Sequence, residues 1–215
     1  KSRRIIALRV SSDLRTWSAQ QAILVPDAHD AAEAEFYLFK VFRYGGGYAG
    51  LMMKYYADPA RPREHSSILR YELAVSDDGR VWKRPYRDTD PGFWSYADPF
   101  VVGDEMHFAI SRDGGMVTVA YGKDRMVAAV GEGSLLTRPF GRPVRGIALN
   151  ADATRGWIEA VLRDGGGKPV AGALPHRLEG REGLCLPLSW DPRVLPAKCS
   201  LRISMGGGAR LFGIA

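Results

Sequence analysis

The chain contains little cysteine: two residues, Cys185 and Cys199, among 215. This number is too small for a scaffold held together by disulfides. The alternation of strand residues places Cys199 on the apolar side with Leu201 and Ile203, and it places Cys185 opposite the leucines of its own strand. We therefore expect two free thiols, and the use of cysteine leaves the compartment open.

Long apolar segments are also absent. No run of about 18 apolar residues occurs, so the sequence predicts no membrane span and no membrane partner. The first residue is Lys1 rather than methionine, and no apolar stretch of a signal peptide follows it. We expect either that a segment has been removed or that the chain is a fragment of a longer protein. The localisation stays unknown.

The sequence lacks the motifs of the common catalytic and nucleotide-binding sites. It has no G-x-S-x-G, no P-loop, no H-E-x-x-H and no C-x-x-C. The histidines are isolated along the chain: His29, His65, His107 and His176. We therefore expect no metal and no cofactor.

The charge is basic, with a formal net charge of +6 and a pI of about 9.4. A basic balance raises the question of nucleic-acid binding. The densest groups of basic residues are Lys1, Arg3 and Arg4, and Arg61, Arg63 and Arg70. Neither group is a continuous block of like charge or part of a nucleic-acid motif. A solvated surface is therefore favoured, and no nucleic-acid partner is expected.

Strand-like runs dominate the chain, and long amphipathic helical patterns are missing. Aromatic-rich runs at 36–44 and 48–56 flank three glycines, which predicts a hairpin. Runs at 116–121 and 125–130 predict another hairpin. A short helical turn is indicated only within 27–35. Short strands joined in this way favour an antiparallel meander.

A seven-residue pattern, S-x-D-x-R-x-W, occurs at 11–17 and again 65 residues later at 76–82. Each copy ends one strand-like run and precedes another. We expect its aspartate to accept hydrogen bonds from turn amides and its tryptophan to pack beneath the next blade. Repeats of roughly 40 to 65 residues built from strands are typical of β-propellers. The pattern therefore predicts propeller blades in residues 1–140.

The composition changes near Phe140, where 137–143 resembles a linker. Alternating strands follow, and the cleanest of them is Lys198–Ser204. A segment of this length and pattern fits a compact β-sandwich in residues 141–215. The predicted fold class is therefore all-β, with propeller blades followed by a small C-terminal β-sandwich.

Candidate catalytic residues come from acidic side chains near strand starts. Four of them precede an aromatic strand: Asp27, Asp30, Glu33 and Glu35. Because glycosidic cleavage commonly uses two carboxylates, we take Asp27, Asp30 and Glu35 as candidates, with Asp98 before another strand. The alternative is that Asp27 and Asp30 cap a turn, that Glu33 is solvated and that Asp98 is an ordinary turn residue.

Aromatic side chains are the candidate binding groups. Tyr37, Tyr48 and Trp94 are candidate substrate-binding residues, because aromatic faces stack on sugars. Others could offer such faces too: Tyr44, Tyr55, Tyr56, Phe93 and Tyr96. Packing between blades is the simpler explanation for most of these aromatics.

The repeated strand and S-x-D-x-x-x-W turn resembles the blade-edge motif of five-bladed propeller glycoside hydrolases, the fructosidase and arabinanase group of families 32, 43 and 68. It is similar to a shortened sialidase Asp-box. Other stretches resemble an uncharacterised bacterial family described as glycosyl hydrolase family 32-like: residues 35–37, 48–51, 73–82, 102–106, 124–126 and 136–139, and in the tail 149–152, 167–170 and 209–212.

The resemblance implies an incomplete five-bladed-type propeller. In that group the nucleophile, the transition-state aspartate and the acid glutamate lie on the first three blades. Counted back from the sandwich, residues 1–140 hold about two and a half blades, so the resemblance implies that most catalytic residues lie upstream of Lys1. We expect a glycoside hydrolase-like protein that acts on or binds carbohydrate, as a C-terminal portion.

The alternative is a non-catalytic carbohydrate-binding or structural interaction module. The expected partner is carbohydrate in either case. Sheet edges exposed by an incomplete propeller also predict self-association.

Overall fold

The structure is a computed structural model that describes residues 3–56, 68–87, 89–141 and 146–214. Lys1, Arg61, Arg63 and His65 of the sequence analysis lie outside these ranges. The protein is all-β, as predicted, and its described residues form no helix. Accordingly, no helix in the described ranges is long and apolar enough to cross a membrane.

The chain divides into two compact units. The first comprises Lys1–Val102 and Met106–Ala120, and the second comprises Gly103–Glu105 and Tyr121–Ala215. The change in composition predicted this division near Phe140. In the structure it lies earlier, because short strands between residues 129 and 141 already pair with strands of the second unit.

The strands that begin in the first unit, or pass through it, are β1 (Ile6–Leu8), β2 (Gln21–Leu24), β3 (Ala34–Tyr44), β4 (Gly47–Tyr56), β5 (Ile68–Ser76), β6 (Phe100–Val102), β7 (Glu105–Arg112) and β8 (Gly115–Gly122). They form a two-stranded sheet β1-β2 and two three-stranded sheets in the orders β3-β4-β5 and β6-β7-β8. The pairs β1-β2, β3-β4 and β4-β5 are antiparallel.

The β3-β4 hairpin confirms the prediction from the three glycines. Tyr44 pairs with Gly47, and Gly45 adopts a φ of 54°, a left-handed conformation that glycine adopts without strain. The central strand β4 is buried from Ala49 to Lys54, because it has a strand on each side and is covered on both faces.

Two local predictions were wrong. The hairpin at 116–121 and 125–130 does not form; β8 pairs with β7, because Asp113 and Gly114 adopt φ angles of 52° and 77° and build a tight turn there. The segment 27–35 is also not helical. It contains two separate turns, closed by hydrogen bonds of 3.0 Å from the Asp30 amide to the Asp27 carbonyl and from the Ala34 amide to the Ala31 carbonyl.

Buried side chains connect the three sheets of the first unit. On one face of the middle sheet, Phe36 and Met52 form a buried cluster with Leu24 of β2. On the other face, the ring of Phe42 contacts the ring of Phe108 in β7, with centroids 5.2 Å apart. The middle sheet therefore buries both faces, which explains its aromatic-rich and nearly continuous apolar sequence.

The repeated seven-residue pattern forms the same turn twice. Oδ1 of Asp13 accepts hydrogen bonds from the amides two and three residues later, both at 2.8 Å, and Oδ1 of Asp78 does so at 2.8 and 2.9 Å. The next residue has a positive φ in both copies, 59° at Leu14 and 73° at Gly79. The predicted capping by aspartate is confirmed.

The tryptophans of the two turns differ. Trp82 packs edge-on against Phe39 of the sheet that precedes it, with centroids 4.7 Å apart, rather than beneath a following sheet. Trp17 remains half-exposed. The predicted packing of these side chains was therefore wrong, because the turn folds back onto its own sheet.

The second unit contains β9 (Ala129–Val130), β10 (Gly133–Leu136), β11 (Phe140–Gly141), β12 (Ile147–Asp152), β13 (Trp157–Asp164), β14 (His176–Glu179), β15 (Glu182–Leu188), β16 (Lys198–Gly206) and β17 (Arg210–Ile214). One sheet has the order β10-β16-β13-β14, with β11 also pairing with β16, and the other has the order β15-β12-β17-β9.

These two sheets share one buried core, the arrangement of a β-sandwich. Leu149 and Leu188 of one sheet pack in the same cluster as Ile158 and Leu201 of the other. Cys199 is buried in this core, as its alternation with apolar residues predicted.

Cys185 of β15 is exposed on the opposite side of its strand from the buried leucines. The two cysteines are not joined in a disulfide bond.

Candidate functional site

Two of the candidate catalytic acids lie in a group of ion pairs that we call the Arg84 cluster: Asp27, Asp30, Lys54, Glu72, Arg84 and Arg87. Arg84 donates to both oxygens of Asp30 at 2.6 Å and to both oxygens of Glu72 at 2.7 and 2.9 Å. Its guanidinium also lies over the ring of Phe36, 4.6 Å from the centroid. Lys54 Nζ adds an ion pair of 2.8 Å to Glu72.

The outer part of the Arg84 cluster is more open. Arg87 donates to both oxygens of Asp27 at 3.0 and 2.5 Å, and the Asp27 carboxylate is 45% exposed. By contrast, the side chains of Asp30, Glu72 and Arg84 are 2%, 0% and 4% exposed. The inner three groups are therefore shielded from any ligand in solution.

The pairing decides the charge states of these groups. Burial would raise the pKa of Asp30, but hydrogen bonds from Arg84 and from the Asp27 amide outweigh it and lower the pKa to about 2. Burial opposes charge on Arg84 as well, yet its bonds to Asp30 and Glu72 raise its pKa. Hydrogen bonds from Arg87 lower the pKa of Asp27. Both aspartates are thus ionised, whereas a general acid must hold a proton near neutral pH.

Glu35 lies apart from the Arg84 cluster, beside Arg4. Their charged groups are 3.7 Å apart, and the Glu35 side chain is 16% exposed. The guanidinium carbon of Arg4 is 4.8 Å from the ring centroid of Tyr37 and 5.3 Å from that of Tyr55. Glu35 and Tyr37, two predicted site residues, therefore share one basic neighbour on the surface.

A second pair of predicted residues, Tyr48 and Asp98, lines a cleft of about 430 Å³ that we call the Tyr48 cleft. Its lining residues are Val41, Phe42, Arg43, Tyr48, Asp98, Pro99, Val101 and Met106. Arg43 lies over the Tyr48 ring, 4.3 Å from its centroid. Asp98 is exposed and forms an ion pair with Lys40. Arg43 therefore covers one face of the Tyr48 ring.

The third predicted binding residue, Trp94, lines the aromatic cleft, which has a volume of about 440 Å³. This cleft lies between the middle sheet and the β6-β7-β8 sheet, at the end where β7 finishes. Its lining residues are Met53, Leu69, Tyr71, Gly92, Phe93, Trp94, Tyr96, Ala97, Ala109, Ile110, Ser111, Arg112 and Met116.

The aromatic side chains of this cleft form a connected group. Trp94 stacks on Tyr71 with centroids 6.4 Å apart and an interplanar angle of 25°, and it meets Tyr96 edge-on at 5.9 Å. Tyr96 is 77% exposed, so its ring is open to a ligand. Trp94 Nε1 is buried and has no hydrogen-bond partner among the described residues. An unsatisfied donor of this kind costs about 1–3 kcal/mol unless another group or a water meets it.

The polar groups of the aromatic cleft are few. Burial, the charge of Asp90 and the neighbouring Tyr96 raise the pKa of Tyr71, so its hydroxyl keeps its proton at neutral pH. Asp90 itself accepts hydrogen bonds from the backbone amides of Tyr71 and Gly92, at 3.3 and 2.7 Å. The cleft lining includes one charged side chain, Arg112, and no carboxylate in the described part of the chain.

The candidate residues thus fall in four places rather than one. Asp27 and Asp30 are together in the Arg84 cluster, Glu35 is with Tyr37, Asp98 is with Tyr48, and Trp94 is in the aromatic cleft. Sequence reasoning missed Glu72 and Arg84, because Glu72 alternates with Arg70 on what reads as a polar face. It also missed Tyr71, whose alternation with Leu69 and Leu73 reads as core.

Another polar cluster lies in the second unit. Arg125 Nε donates to Asn150 Oδ1 at 2.7 Å and the guanidinium lies 4.7 Å from the ring centroid of Phe212. Arg210 lies 5.7 Å from the same ring and pairs with Asp152 at 2.5 Å. Three of the stretches that carry the family resemblance therefore meet here, and their polar residues hold the sheet together.

In the described ranges, no group of three or more His, Cys, Asp or Glu side chains is arranged to hold a metal ion. Comparison with known proteins gave no match to any family model, curated protein or solved structure.

Proposed function

We propose that this protein binds carbohydrate and that the aromatic cleft is the binding site. The observation that carries the proposal is the exposed Tyr96 beside the stacked pair Tyr71 and Trp94 in one cleft. Sugars present apolar C–H faces that pack on aromatic rings, and their hydroxyls pair with a few polar groups at the rim. A cleft of a few hundred Å³, lined mostly by apolar and aromatic groups, is typical of small-ligand sites.

Binding is better supported than cleavage by this chain alone. Cleavage of a glycosidic bond commonly needs two carboxylates on either side of it. The aromatic cleft has no carboxylate among its described lining residues, and Asp30 is buried and paired. We infer that any hydrolytic activity would require acids from further blades, as the family resemblance implies.

The proposed architecture is that of an incomplete propeller followed by a sandwich. Three sheets whose buried side chains pack against one another support blades in the first unit, since adjacent blades pack face to face. The described sheets have two or three strands, fewer than the usual four of a blade.

Glycan-array binding tests the proposed site. We expect the wild-type chain to bind at least one class of oligosaccharide, and Tyr96→Ala to lose that signal. Tyr37→Ala is the matched control, because Tyr37 is an exposed tyrosine of the same unit outside the cleft. Loss of binding in Tyr37→Ala with retention in Tyr96→Ala would place the site beside Arg4 instead.

A structural interaction role is the second proposal, and β6 favours it. This edge strand exposes Phe100, Val101 and Val102 at 45%, 50% and 57%. Edge strands with open apolar side chains pair readily with other chains. We expect light scattering to show self-association at micromolar concentration that Val101→Lys reduces. A monomeric wild-type chain would contradict this role.

A further inference from the structure

Arg112 is the one charged side chain that lines the aromatic cleft in the described part of the chain. It is exposed, and none of the described carboxylates forms an ion pair with it, including that of its neighbour Asp113. Three other arginines of the first unit form ion pairs: Arg4 with Glu35, Arg84 with Asp30 and Glu72, and Arg87 with Asp27.

The backbone holds Arg112 at a defined place. It is the last residue of β7, and the tight turn at Asp113 and Gly114 follows immediately. Ile110, two residues earlier in the same strand, is buried, 5% exposed, and also lines the cleft. Arg112 therefore lies in the wall of the aromatic cleft, at the end of a packed strand rather than on a free loop.

We propose that the aromatic cleft selects acidic sugars, with Arg112 pairing with the carboxylate of a uronic acid residue. This inference rests on the proposed carbohydrate binding and adds the ligand class. A guanidinium presents parallel N–H donors that match a carboxylate, and such charge-assisted bonds are stronger than those to neutral hydroxyls. The described lining residues include one cation and no carboxylate, which favours an acidic ligand over a neutral one, while the charge of Asp90, which acts on Tyr71, opposes part of this preference.

The aromatic groups supply the remaining recognition. The ring of Tyr96 is open for the apolar face of the sugar, while the protonated hydroxyl of Tyr71 and the hydroxyl of Ser111 can bond ring hydroxyls. Stacking acts on neutral and acidic sugars alike, so discrimination falls to Arg112. Because Arg112 is exposed, its attraction for an acidic ligand weakens as ionic strength rises.

Calorimetric titration with matched ligands tests the inference. The probes are galacturonate, mannuronate and glucuronate-containing hexasaccharides, each beside its carboxyl methyl ester, together with neutral hexasaccharides. We expect at least one acid to bind ten or more times more tightly than its ester at low salt, with the ratio falling at 0.5 M salt. In Arg112→Gln, the acid and its ester should bind with about the same affinity, and the weaker binding of the ester should be retained.

Two variants separate the possible failures. Arg43→Gln removes one exposed arginine outside the aromatic cleft and should keep the acid preference, whereas Tyr96→Ala should weaken acids and esters together. If neutral sugars and esters bind as tightly as acids, or if Arg112→Gln keeps the preference, the acidic selection is wrong while carbohydrate binding stands. If none of these ligands binds, the proposed function fails and the inference fails with it.

Discussion

Arg84 and Asp30, 54 residues apart in the chain, are joined by two parallel hydrogen bonds of 2.6 Å. The same guanidinium binds Glu72, so two buried carboxylates share Arg84, and Lys54 supplies a second positive charge at Glu72. Among the acidic residues that precede the aromatic strand, this pairing accounts for Asp30, whereas Asp27 pairs with Arg87 and Glu35 with Arg4. The connection also ties the turns after β2 to the middle sheet.

Replacing Arg84 with methionine should destabilise the protein by about 3 kcal/mol or more, because Asp30 would lose its bidentate partner and Glu72 would keep only Lys54 while both stay buried. Urea denaturation followed by far-UV circular dichroism measures this loss. Arg87→Met is the matched control; its side chain is 28% exposed, so we expect a change below about 1 kcal/mol. Equal losses of unfolding free energy in the two variants would show that the buried ion pairs of Arg84 contribute no more to stability than the exposed pair of Arg87.

Low pH should reduce the free energy of unfolding through protonation of Asp30. The pKa of this carboxyl is lowered from 3.8 to about 2 in the folded state, so the unfolded chain takes up its proton first as the pH falls. The stabilisation is complete above pH 4 and is lost as the pH falls towards 2, by about 2 kcal/mol. Free energies of unfolding should therefore differ between wild type and Asp30→Asn at pH 6 and converge near pH 2. A constant difference over this range would contradict the pairing.

The two copies of the repeated turn have a leucine and a glycine at the same position of positive φ, so substitutions there should change stability in opposite directions. Leu14 is 78% exposed and holds a positive φ of 59°, so Leu14→Gly should stabilise the protein by about 0.5 kcal/mol. Gly79→Ala should destabilise it by about 1 kcal/mol. A Cβ at Gly79 would lie 3.7 Å from the Tyr48 ring, an ordinary contact, so the loss comes from the backbone. Thermal unfolding measures both, and stabilisation by Gly79→Ala would be incompatible with equivalent turns.

Changes at acids outside the aromatic cleft should leave sugar binding intact. We expect Glu35→Gln and Asp98→Asn to keep the dissociation constant within about twofold, because neither residue lines that cleft. Titration of each variant with the oligosaccharide that binds wild type checks this. A tenfold loss in Glu35→Gln would move the site to the neighbourhood of Arg4 and Tyr37.

The sequence was sufficient to predict features set by local pattern. The all-β class, the hairpin at the three glycines, the capping by Asp13 and Asp78 and the burial of Cys199 all follow from alternation or turn chemistry. These features depend on residues close together in the chain, so their physical causes are visible in a short window.

Features set by distant contacts were not predictable. Glu72 looks solvent-facing in the sequence, because the cations that pair with it, Arg84 and Lys54, come from other segments of the chain. The sequence of residues 125–130 suggests a strand that pairs with β8. In the structure, the turn at Asp113 pairs β8 with β7 instead, and Arg125 donates a hydrogen bond to Asn150. Likewise, the aromatic cleft exists only because Tyr71 and Trp94 are brought together across the fold.

The most direct test of carbohydrate binding at the aromatic cleft is a crystal structure of the protein with a bound acidic hexasaccharide. We expect a sugar ring against Tyr96, beside the pair Tyr71 and Trp94, with its carboxylate within hydrogen-bond distance of Arg112. An ordered sugar in the Tyr48 cleft or on the second unit, with the aromatic cleft empty at saturating ligand, would contradict the proposed site.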